Sequence, residues 1–559
     1  MFYTDYLHFN PNATTWKETC DSFFLNVPRN FNFSYDVLDR FAKEMPHKEA
    51  LYWTSDEEDD RSFSFIELQK EVNKTANYFV SLGVKKGDRV MILLRTRFEF
   101  WYMLLALHKI GAIAIPATVQ LLPDDLVYRF KTADIALVIA IDVGKIQAFI
   151  DEACVRSKTN PITIAVKNNR KGWRNFTKEY GAFSDVFEKP QGDAYACDGD
   201  ISVIYFTSGT SGEPKMVSHN FLYPLGHIVT AKFWQCVTDG GRHFTVAETG
   251  WAKALWGKIY GQWLCGSSVF AYDMNRFVPK IMLDKITTYK ITSFCAPSTV
   301  YRYLVKEDFS AYDFSILTEC TSAGEALPLN VFNTFKDKTG LSIREGYGQT
   351  ELTLTTGVFA GMKIKPGCIG LPAPGYEIDI VDTEGNSCAA GEAGEIVLRL
   401  DKGHPFGMFE GYYKDRKSTE NVFKNNLYHT CDIAIRDEEG FFWFQGRTDD
   451  LIKSAGYRIS PFEVENILLK HPAVFECAVT GVKDGNRGNI MKASIVVKEG
   501  FNGSDELSKD ILYHARSVGA NYKVPRIIEF VNELPKTISG KVRRVEIREK
   551  HKTTKATVR

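Results

Sequence analysis

The segment VIYFTSGTSGEPK, residues 203–215, joins an apolar strand to a loop of glycines and hydroxyl side chains. Glycines let backbone N–H groups turn inward, hydroxyls add donors and a lysine adds a compact cation, so this composition suits a polyphosphate. The loop lacks the Gly-Lys-Ser/Thr ending of a Walker A motif, and a solvated Gly/Ser turn is the alternative. The candidate phosphate-binding residues are Thr207, Ser208, Gly209, Thr210, Ser211, Gly212 and Lys215.

A second glycine turn, REGYGQTE, spans residues 344–351. A carboxylate at the end of such a turn, here Glu351, can hold Mg²⁺, and the neighbouring Thr350 hydroxyl can meet a phosphate oxygen. No third glycine follows at the spacing of a dinucleotide-binding fingerprint, so the sequence excludes that motif here.

Three more charged residues could contribute to such a site. Asp432 follows a short turn and Arg447 follows a strand. A carboxylate can accept from both ribose hydroxyls and a guanidinium can share them, although ordinary surface charges are the alternative. Lys541 follows a Ser-Gly turn in PKTISGKVRR, where an exposed lysine in a basic tail is the simpler account.

Alternating helices and strands must position these motifs. Ser64 and Glu67 have capping-box spacing, and apolar residues recur at helical intervals until Gly83, which predicts an amphipathic helix. After it we predict a strand at residues 88–94, a helix at 98–108, and two more strands at 112–116 and 133–141. This alternation predicts βαβ units and an α/β fold with a mostly parallel sheet.

The second half of the chain has a different pattern of predicted secondary structure. From about residue 364, short strands with Gly/Asp turns predict a β-rich subdomain of hairpins. Later, Ser460 as a cap and Pro461 at the first helical position predict a helix that two strands follow. A compact α+β domain of roughly a hundred residues therefore closes the chain. We predict two domains, residues 1–449 and 450–559.

Composition narrows the class of protein. The 559 residues exceed what one hydrophobic core usually supports, which agrees with at least two domains. Lys+Arg and Asp+Glu both total 69, so bulk charge does not favour nucleic acid as a partner. The eleven cysteines form no CxxC pair and no cluster at zinc spacing, which is typical of reduced thiols.

The sequence also bears on location. Its first residues lack a basic start followed by an apolar run and are not Arg-rich, so we expect neither secretion nor organelle import. The most apolar segment, residues 100–119, is interrupted by His108, Lys109 and Gly111, which favours a core helix and a buried strand over a membrane span. We expect a cytoplasmic protein without a membrane partner. The oligomeric state is open, and a homo-oligomer is compatible with the sequence.

Together, in this order and at these distances, the four motifs resemble the adenylate-forming enzymes, which are acyl-CoA synthetases, luciferases and the adenylation domains of peptide synthetases. The resemblance runs from about residue 30 to residue 550. It is strongest to the medium-chain acyl-CoA synthetases, through GEALP, REGYGQTE, MKIKPGCIG, SAGYRISPFEVEN, HPAVFECAV and LPKTISGKV. It implies a large N-terminal domain of αβαβα layers with a β-rich subdomain, and a small, mobile α+β C-terminal domain.

The resemblance implies how ATP is bound. Residues 207–215 would wrap the β and γ phosphates, Thr350 would contact the α phosphate and Glu351 would hold Mg²⁺. Lys541 would bridge the carboxylate substrate and the α phosphate, and Arg458 would lie near the phosphate or the acyl group. Asp432 and Arg447 would bind the ribose. The adenine pocket and the rest of the ATP site would contain Gly324, Glu325, Ala326, Glu345, Gly346, Tyr347, Gly348 and Gln349.

For coenzyme A, the resemblance implies a narrow pantetheine tunnel along Gly456, with Ala455 and Tyr457 beside it. Gln120, Arg487 and Arg516 would contact the nucleotide end of CoA, and Asp449 would be the hinge of the mobile domain. The chain departs from the family pattern at three positions. Cys431 replaces a usual glycine, Ala455 replaces a commoner Ser or Gly, and Val524 stands where a tyrosine is often found.

The acyl group would lie among bulky side chains. The implied residues are Trp234, Trp251, Lys253, Trp256 and Cys295, with Gly324 and Gly348. Indoles occupy much volume, so a pocket that three of them line should be short and should favour a short- to medium-chain acid, including branched ones. Ordinary core packing of the tryptophans is the alternative.

The function that follows is ATP-dependent ligation of a carboxylic acid to CoA, through acyl-AMP, with release of pyrophosphate and then AMP. ATP and CoA are the expected cosubstrates, and Mg²⁺ is the expected metal. One alternative is an adenylating enzyme whose acceptor is a carrier protein. Another, from a different class, is a phosphotransferase or a nucleotide-binding regulator, which would form ADP or have no turnover.

Overall fold

The computed structural model describes residues 2–207, 213–454, 457–484, 488–519, 521–536 and 542–554. Two large, mostly parallel sheets with helices on their faces form most of the chain. A smaller antiparallel sheet follows, and a compact α+β domain comes last. The predicted α/β class, the β-rich subdomain and the small C-terminal domain are therefore confirmed.

The first sheet contains the strand that leads into the glycine and hydroxyl loop. Its central strands are parallel and almost without exposed surface, as their continuous apolar runs require. Two antiparallel strands complete one edge. In spatial order the strands are Gly411–Tyr412, Lys215–Asn220, Ile201–Thr207, Ile113–Pro116, Arg89–Leu93, Ile135–Ile141, Ile162–Val166 and Arg174–Asn175.

The second sheet carries the other glycine turn. Its strands in spatial order are Leu371–Pro372, Leu354–Gly357, Ile343–Gly348, Glu319–Ala323, Ser293–Cys295, Arg242–Thr245, Ser268–Asp273, Glu49–Ser55 and Arg61–Ser64. The strands ending at Ala323 and Gly348 are parallel neighbours, with Ala323 opposite Gly346. Because parallel strands end at the same edge, their following loops lie together, as in other ligand sites of α/β sheets.

Helices cover both sheets. The predicted helix after Ser64 is confirmed, since Glu67 accepts from the Ser64 backbone N–H at 2.9 Å and Gly83 has a φ of +88° just after the helix. In the described part of the chain, no helix has the length and apolarity needed to cross a membrane. The longer helices of this region are Phe65–Ser81, Glu99–Ile110, Pro123–Ala133, Ile146–Ser157, Pro279–Thr288 and Leu329–Thr339. The shorter ones are Tyr3–Tyr6, Trp16–Asp21, Arg40–Glu44, Phe176–Glu179, Tyr223–Val229, Ala252–Lys258, Tyr260–Leu264, Ser298–Leu304 and Arg416–Val422.

The β-rich subdomain and the last domain follow. The subdomain contains the strands Ile378–Val381, Ala393–Arg399, Phe423–Lys424, Leu427–Arg436 and Phe442–Arg447. The last domain contains the paired strands Ile452–Ser454 and Tyr457–Ile459, the helices Pro461–Leu468, Asp505–Val518 and Arg544–Thr554, and the strands Val474–Asp484, Gly488–Val497 and Ile527–Phe530. Ser460 caps the helix that begins at Pro461, as its sequence predicts.

Cys431 interrupts the regular geometry of its strand. Its φ is +59°, in the left-handed region that glycine adopts readily and that other residues adopt at a steric cost. The ladder to the neighbouring strand shifts register opposite this residue, and Glu395 accepts from the Cys431 N–H at 2.8 Å. The departure from the family glycine therefore leaves the backbone shape of a glycine in place.

Replacing Cys431 with glycine is expected to raise the free energy of unfolding by about 1 kcal/mol, because glycine adopts this φ without the clash of a Cβ. Cys431→Ala keeps the Cβ and is the control. Thermal unfolding of the two variants is the measurement. A glycine variant that melts no higher than the alanine variant would show that the residue is not strained.

Candidate active site

The glycine and hydroxyl loop connects two antiparallel strands at the end of the first sheet. Thr207 lies directly opposite Lys215, and its hydroxyl donates to the Lys215 carbonyl at 3.4 Å. The Tyr128 hydroxyl donates to the carbonyl of Pro214 at 2.9 Å. The two ends of the loop are thus fixed close together. Outside the described residues lie Ser208, Gly209, Thr210, Ser211 and Gly212.

One tyrosine links this loop to the second glycine turn. The Lys215 ammonium lies 4.5 Å from the centroid of the Tyr412 ring, and the Tyr412 hydroxyl donates to Glu351 Oε1 at 2.9 Å. Sequence reasoning missed Tyr412. Nothing in the segment MFEGYYKD relates this tyrosine to Glu351, which lies 61 positions earlier.

Glu351 is suited to a magnesium ion that ATP shares. Burial raises the pKa of its carboxyl, so a nearby cation would stabilise the ionised form. No group of three or more His, Cys, Asp or Glu side chains converges anywhere in the described residues. Mg²⁺ commonly binds through one or two carboxylates plus substrate phosphates, and a lone Glu351 fits that mode rather than a cage of protein ligands.

The predicted ribose residues lie side by side on two paired strands. Asp432 is opposite Arg447, and Arg447 Nη1 is 3.3 Å from Asp432 Oδ1. Asp432 Oδ2 also accepts from the Tyr347 hydroxyl and from Gln349 Nε2, each at 2.6 Å. The Tyr428 hydroxyl, which sequence reasoning also missed, donates to Gln349 Oε1 at 2.9 Å. The turn and the Asp432 carboxylate are therefore one hydrogen-bonded unit.

The two glycines of the turn are required by their neighbours. A Cβ at Gly346 would lie 2.9 Å from the Trp234 ring, and one at Gly348 would lie 2.2 Å from the Thr353 carbonyl oxygen. No side chain fits at either position without a shift of the surrounding chain. The G-x-G spacing therefore reflects close packing at the end of this strand.

The predicted adenine loop is held by two carboxylates. Gly324 has a φ of +97°, and Glu325 accepts from the Thr299 hydroxyl at 2.7 Å. Glu345 is buried and accepts from the backbone N–H groups of Leu327 and Gly367, each at 3.0 Å. Glu345, predicted as part of the ATP site, thus braces the loop from behind in this structure.

The candidate acyl residues form two groups. Trp251, Lys253 and Trp256 are half-buried, and the Lys253 ammonium lies 3.5 Å from the carbonyl of Ala323, next to the adenine loop. Trp234 and Cys295 have no exposed surface, and the Trp234 Nε1–H donates to the Glu345 carbonyl at 3.2 Å. Those two residues belong to the hydrophobic core, while the first group is partly exposed to solvent. The acyl-binding role of all five stays a prediction.

The described candidate CoA residues lie on separate elements of the structure. Gln120 is exposed, and Arg516 is exposed on the helix Asp505–Val518. Tyr457 and Arg458 lie on the strand Tyr457–Ile459. Val524, at the position of a frequent tyrosine, lies in the hydrophobic core of the last domain. Outside the described residues lie Ala455, Gly456, Arg487 and Lys541.

Comparison with known proteins bears directly on this arrangement. The family model of the AMP-binding enzyme matches residues 38–413, and the model of the AMP-binding enzyme C-terminal domain matches residues 463–541. The chain belongs to the AMP-binding enzymes. The resemblance inferred from its motifs is confirmed.

This AMP-binding enzyme is similar to acyl-coenzyme A synthetases over nearly its whole length. It is 38% identical over 553 residues to "Acyl-coenzyme A synthetase ACSM3, mitochondrial" of Pongo abelii, which covers 96% of this chain and 93% of the relative. It is 36% identical over 534 residues to "Acyl-coenzyme A synthetase ACSM4, mitochondrial" of Homo sapiens, with 94% and 91% covered. The chain is thus an ATP-dependent, AMP-forming acyl-CoA synthetase. The cytoplasmic location stays a prediction.

Solved structures agree with the fold. The anthranilate CoA ligase AuaEII, in complex with anthranoyl-AMP, matches with a TM-score of 0.86 and 30% identity, covering 95% of this synthetase and 99% of that chain. A benzoate CoA ligase from Burkholderia xenovorans LB400 matches with a TM-score of 0.81 and 25% identity, covering 93% and 100%. The large domain, the β-rich subdomain and the small last domain of the synthetase are those of this fold.

The brace at Glu345 predicts a pH dependence of ATP binding. Burial raises the pKa of Glu345 to about 7. Above that pH both carboxylate oxygens accept a backbone N–H, whereas below it a proton occupies one oxygen and weakens the brace. The KM for ATP is therefore expected to fall as the pH rises through this pKa. In Glu345→Gln one acceptor becomes a donor facing an N–H, and the KM should rise by about tenfold and lose that pH dependence.

The control is Glu152→Gln, which changes an exposed carboxyl on the helix Ile146–Ser157, where it pairs with Arg156 at 3.0 Å, and should leave the KM for ATP unchanged. Steady-state kinetics at several pH values are the measurement. If Glu345→Gln followed the same pH profile as the unmodified enzyme, Glu345 would not be the group that titrates.

Proposed function

We propose that this synthetase activates a short- to medium-chain carboxylic acid, straight or branched, as acyl-AMP, and then transfers the acyl group to CoA. The observation that carries the proposal is the half-buried group of Trp251, Lys253 and Trp256 beside the carbonyl of Ala323. Two indoles next to the nucleotide motif leave little length for an acyl chain. CoA as the acceptor is supported by the names of the relatives, which are acyl-coenzyme A synthetases.

The chemistry follows from the charges involved. A carboxylate cannot expel oxide, so its oxygen first becomes part of a leaving group by attack on the α phosphate of ATP. Two anions must approach each other, and Lys541, with its ammonium between them, would reduce their repulsion. Mg²⁺ held by Glu351 and the phosphates would supply further positive charge. The Thr350 hydroxyl would hold the α phosphate, and the CoA thiolate would then displace AMP without a covalent enzyme intermediate.

We also propose that the domain boundary falls at residues 449 and 450, with Asp449 as the hinge. Asp449 Oδ1 accepts from Arg447 Nε, on the ribose-binding strand, at 3.1 Å. Asp450 is bound instead by two arginines of the last helix, Arg548 at 3.1 Å and Arg544 at 3.4 Å. Two consecutive carboxylates are thus tied to different parts of the molecule. Rotation between them would present Lys541 for the first half-reaction and the Gly456 tunnel for the second.

A panel of carboxylic acids tests the proposed function. We expect the enzyme to exchange radiolabelled pyrophosphate into ATP with short- and medium-chain acids, and to release AMP steadily only when CoA is added. Aromatic acids, long fatty acids and a phosphopantetheinylated carrier protein are included. No exchange with any acid would overturn adenylation, best turnover on long fatty acids would overturn the short pocket, and AMP release with the carrier protein but not with CoA would overturn the acceptor.

The role of Lys541 gives a sharper prediction. In Lys541→Ala, pyrophosphate exchange should fall by about 100-fold or more, because a charge that stabilises the transition state is lost, while CoA attack on supplied acyl-AMP should be spared. Lys536→Ala is the control, since it removes the same charge from the same segment, where Lys536 pairs with Glu476 at 2.9 Å. Equal losses in both half-reactions of Lys541→Ala would contradict a domain that presents two faces.

A further inference from the structure

The strand Lys215–Asn220 carries a buried histidine that the reaction described above does not use. His219 has no exposed surface, and its imidazole Nε2 lies 2.7 Å from the carbonyl oxygen of Thr350. A carbonyl oxygen can only accept a hydrogen bond, so Nε2 carries the proton and His219 is the donor. This bond joins the strand after the phosphate loop directly to the turn that holds the α-phosphate residue.

The imidazole is held firmly in that orientation. It stacks on the Tyr223 ring with centroids 3.9 Å apart and an angle of 26°, and Tyr205 meets it edge-on at 6.0 Å. Its backbone is paired with Val203 in the neighbouring strand. Burial lowers the pKa of His219 to about 4, so the ring stays neutral and keeps its Nε2–H tautomer at neutral pH.

The same strand reaches the turn a second time. Val217 pairs with Tyr412, whose hydroxyl donates to Glu351. The strand Lys215–Asn220 therefore contacts the Thr350 carbonyl directly through His219, and it is linked to the Glu351 side chain through Tyr412 of the neighbouring strand. Because this strand begins at Lys215, the turn is connected to the residue at which the phosphate loop ends.

We propose that His219 is a positioning residue for adenylate formation, which holds the turn of Thr350 and Glu351 in a fixed position relative to the strand Lys215–Asn220. This inference rests on the proposed function of that turn. His219 acts through the Thr350 carbonyl and touches neither ATP nor the acid. A displacement of about 1 Å in such a turn can lower the rate about 100-fold. Loss of this single hydrogen bond is therefore expected to have a large effect on the rate of adenylate formation.

Two variants distinguish the contribution of the His219 N–H donor from that of its aromatic ring. His219→Phe keeps a ring that can stack on Tyr223 but lacks the N–H. His219→Gln loses the ring but places an amide N–H near the former Nε2. For His219→Phe we expect kcat of pyrophosphate exchange to fall by about 10- to 100-fold, with CoA attack on supplied acyl-AMP changed by less than about threefold. His219→Gln should recover most of the exchange activity.

His108→Phe is the matched control, since His108 is another buried histidine, on the helix Glu99–Ile110, with a ring packed near Phe221 and Tyr260. It should affect both half-reactions equally, if at all. The proposal is overturned if His219→Phe matches the unmodified enzyme, if it lowers both half-reactions to the same extent, or if His219→Gln is no better than His219→Phe. Failure of the proposed function is distinct, because then the unmodified enzyme itself would catalyse no pyrophosphate exchange with any acid.

Discussion

The buried carboxylate of Asp432 joins the second large sheet to the β-rich subdomain. Taking a carboxylate out of water is costly unless hydrogen bonds or opposite charges replace the lost hydration. Asp432 obtains them from Tyr347 and Gln349 at the end of one sheet and from Arg447 on its neighbouring strand. The need to satisfy this charge fixes where the subdomain docks. A nucleotide site built from both parts depends on that docking.

The nucleotide side and the acyl side of the site are built differently. Around the nucleotide motif, polar groups are buried and bonded to one another, with Tyr428 holding Gln349 and Tyr412 holding Glu351. Such satisfied networks favour one arrangement and resist rearrangement. Trp251 and Trp256 are instead half-buried, and the neighbouring Lys253 ammonium lies 3.5 Å from the Ala323 carbonyl. Under the proposed function, variation in the acid is therefore best accommodated near these two tryptophans, without change to the bonded network around Glu351 and Asp432.

The sequence alone was enough to predict the fold class and several strands and helices, because periodicity, caps and glycine turns are local signals. The family came from the resemblance of the four motifs taken together. The sequence also assigned Asp432 and Arg447 to one candidate ribose site, and the structure places them opposite each other on paired strands. It could not predict Tyr412, Tyr428 or His219, because each contacts the motif across tens of residues or more of chain and leaves no fixed spacing. The sequence likewise could not predict the orientation of the Glu345 side chain. A carboxylate next to a glycine turn can face the ligand or the loop behind it, and only the packed structure distinguishes the two.

The contacts between the last domain and the rest of the described chain are mixed in character. The Phe444 and Phe462 rings lie 5.5 Å apart edge-on, and Arg302 lies 4.0 Å from Glu476. Aromatic and charged pairs of this kind resemble transient interfaces more than a continuous hydrophobic core. Asp432, in contrast, is buried within a bonded network. A last domain that, as proposed, brings Lys541 to the nucleotide site and then leaves it needs this difference, since a strong contact would favour one of the two half-reactions over the other.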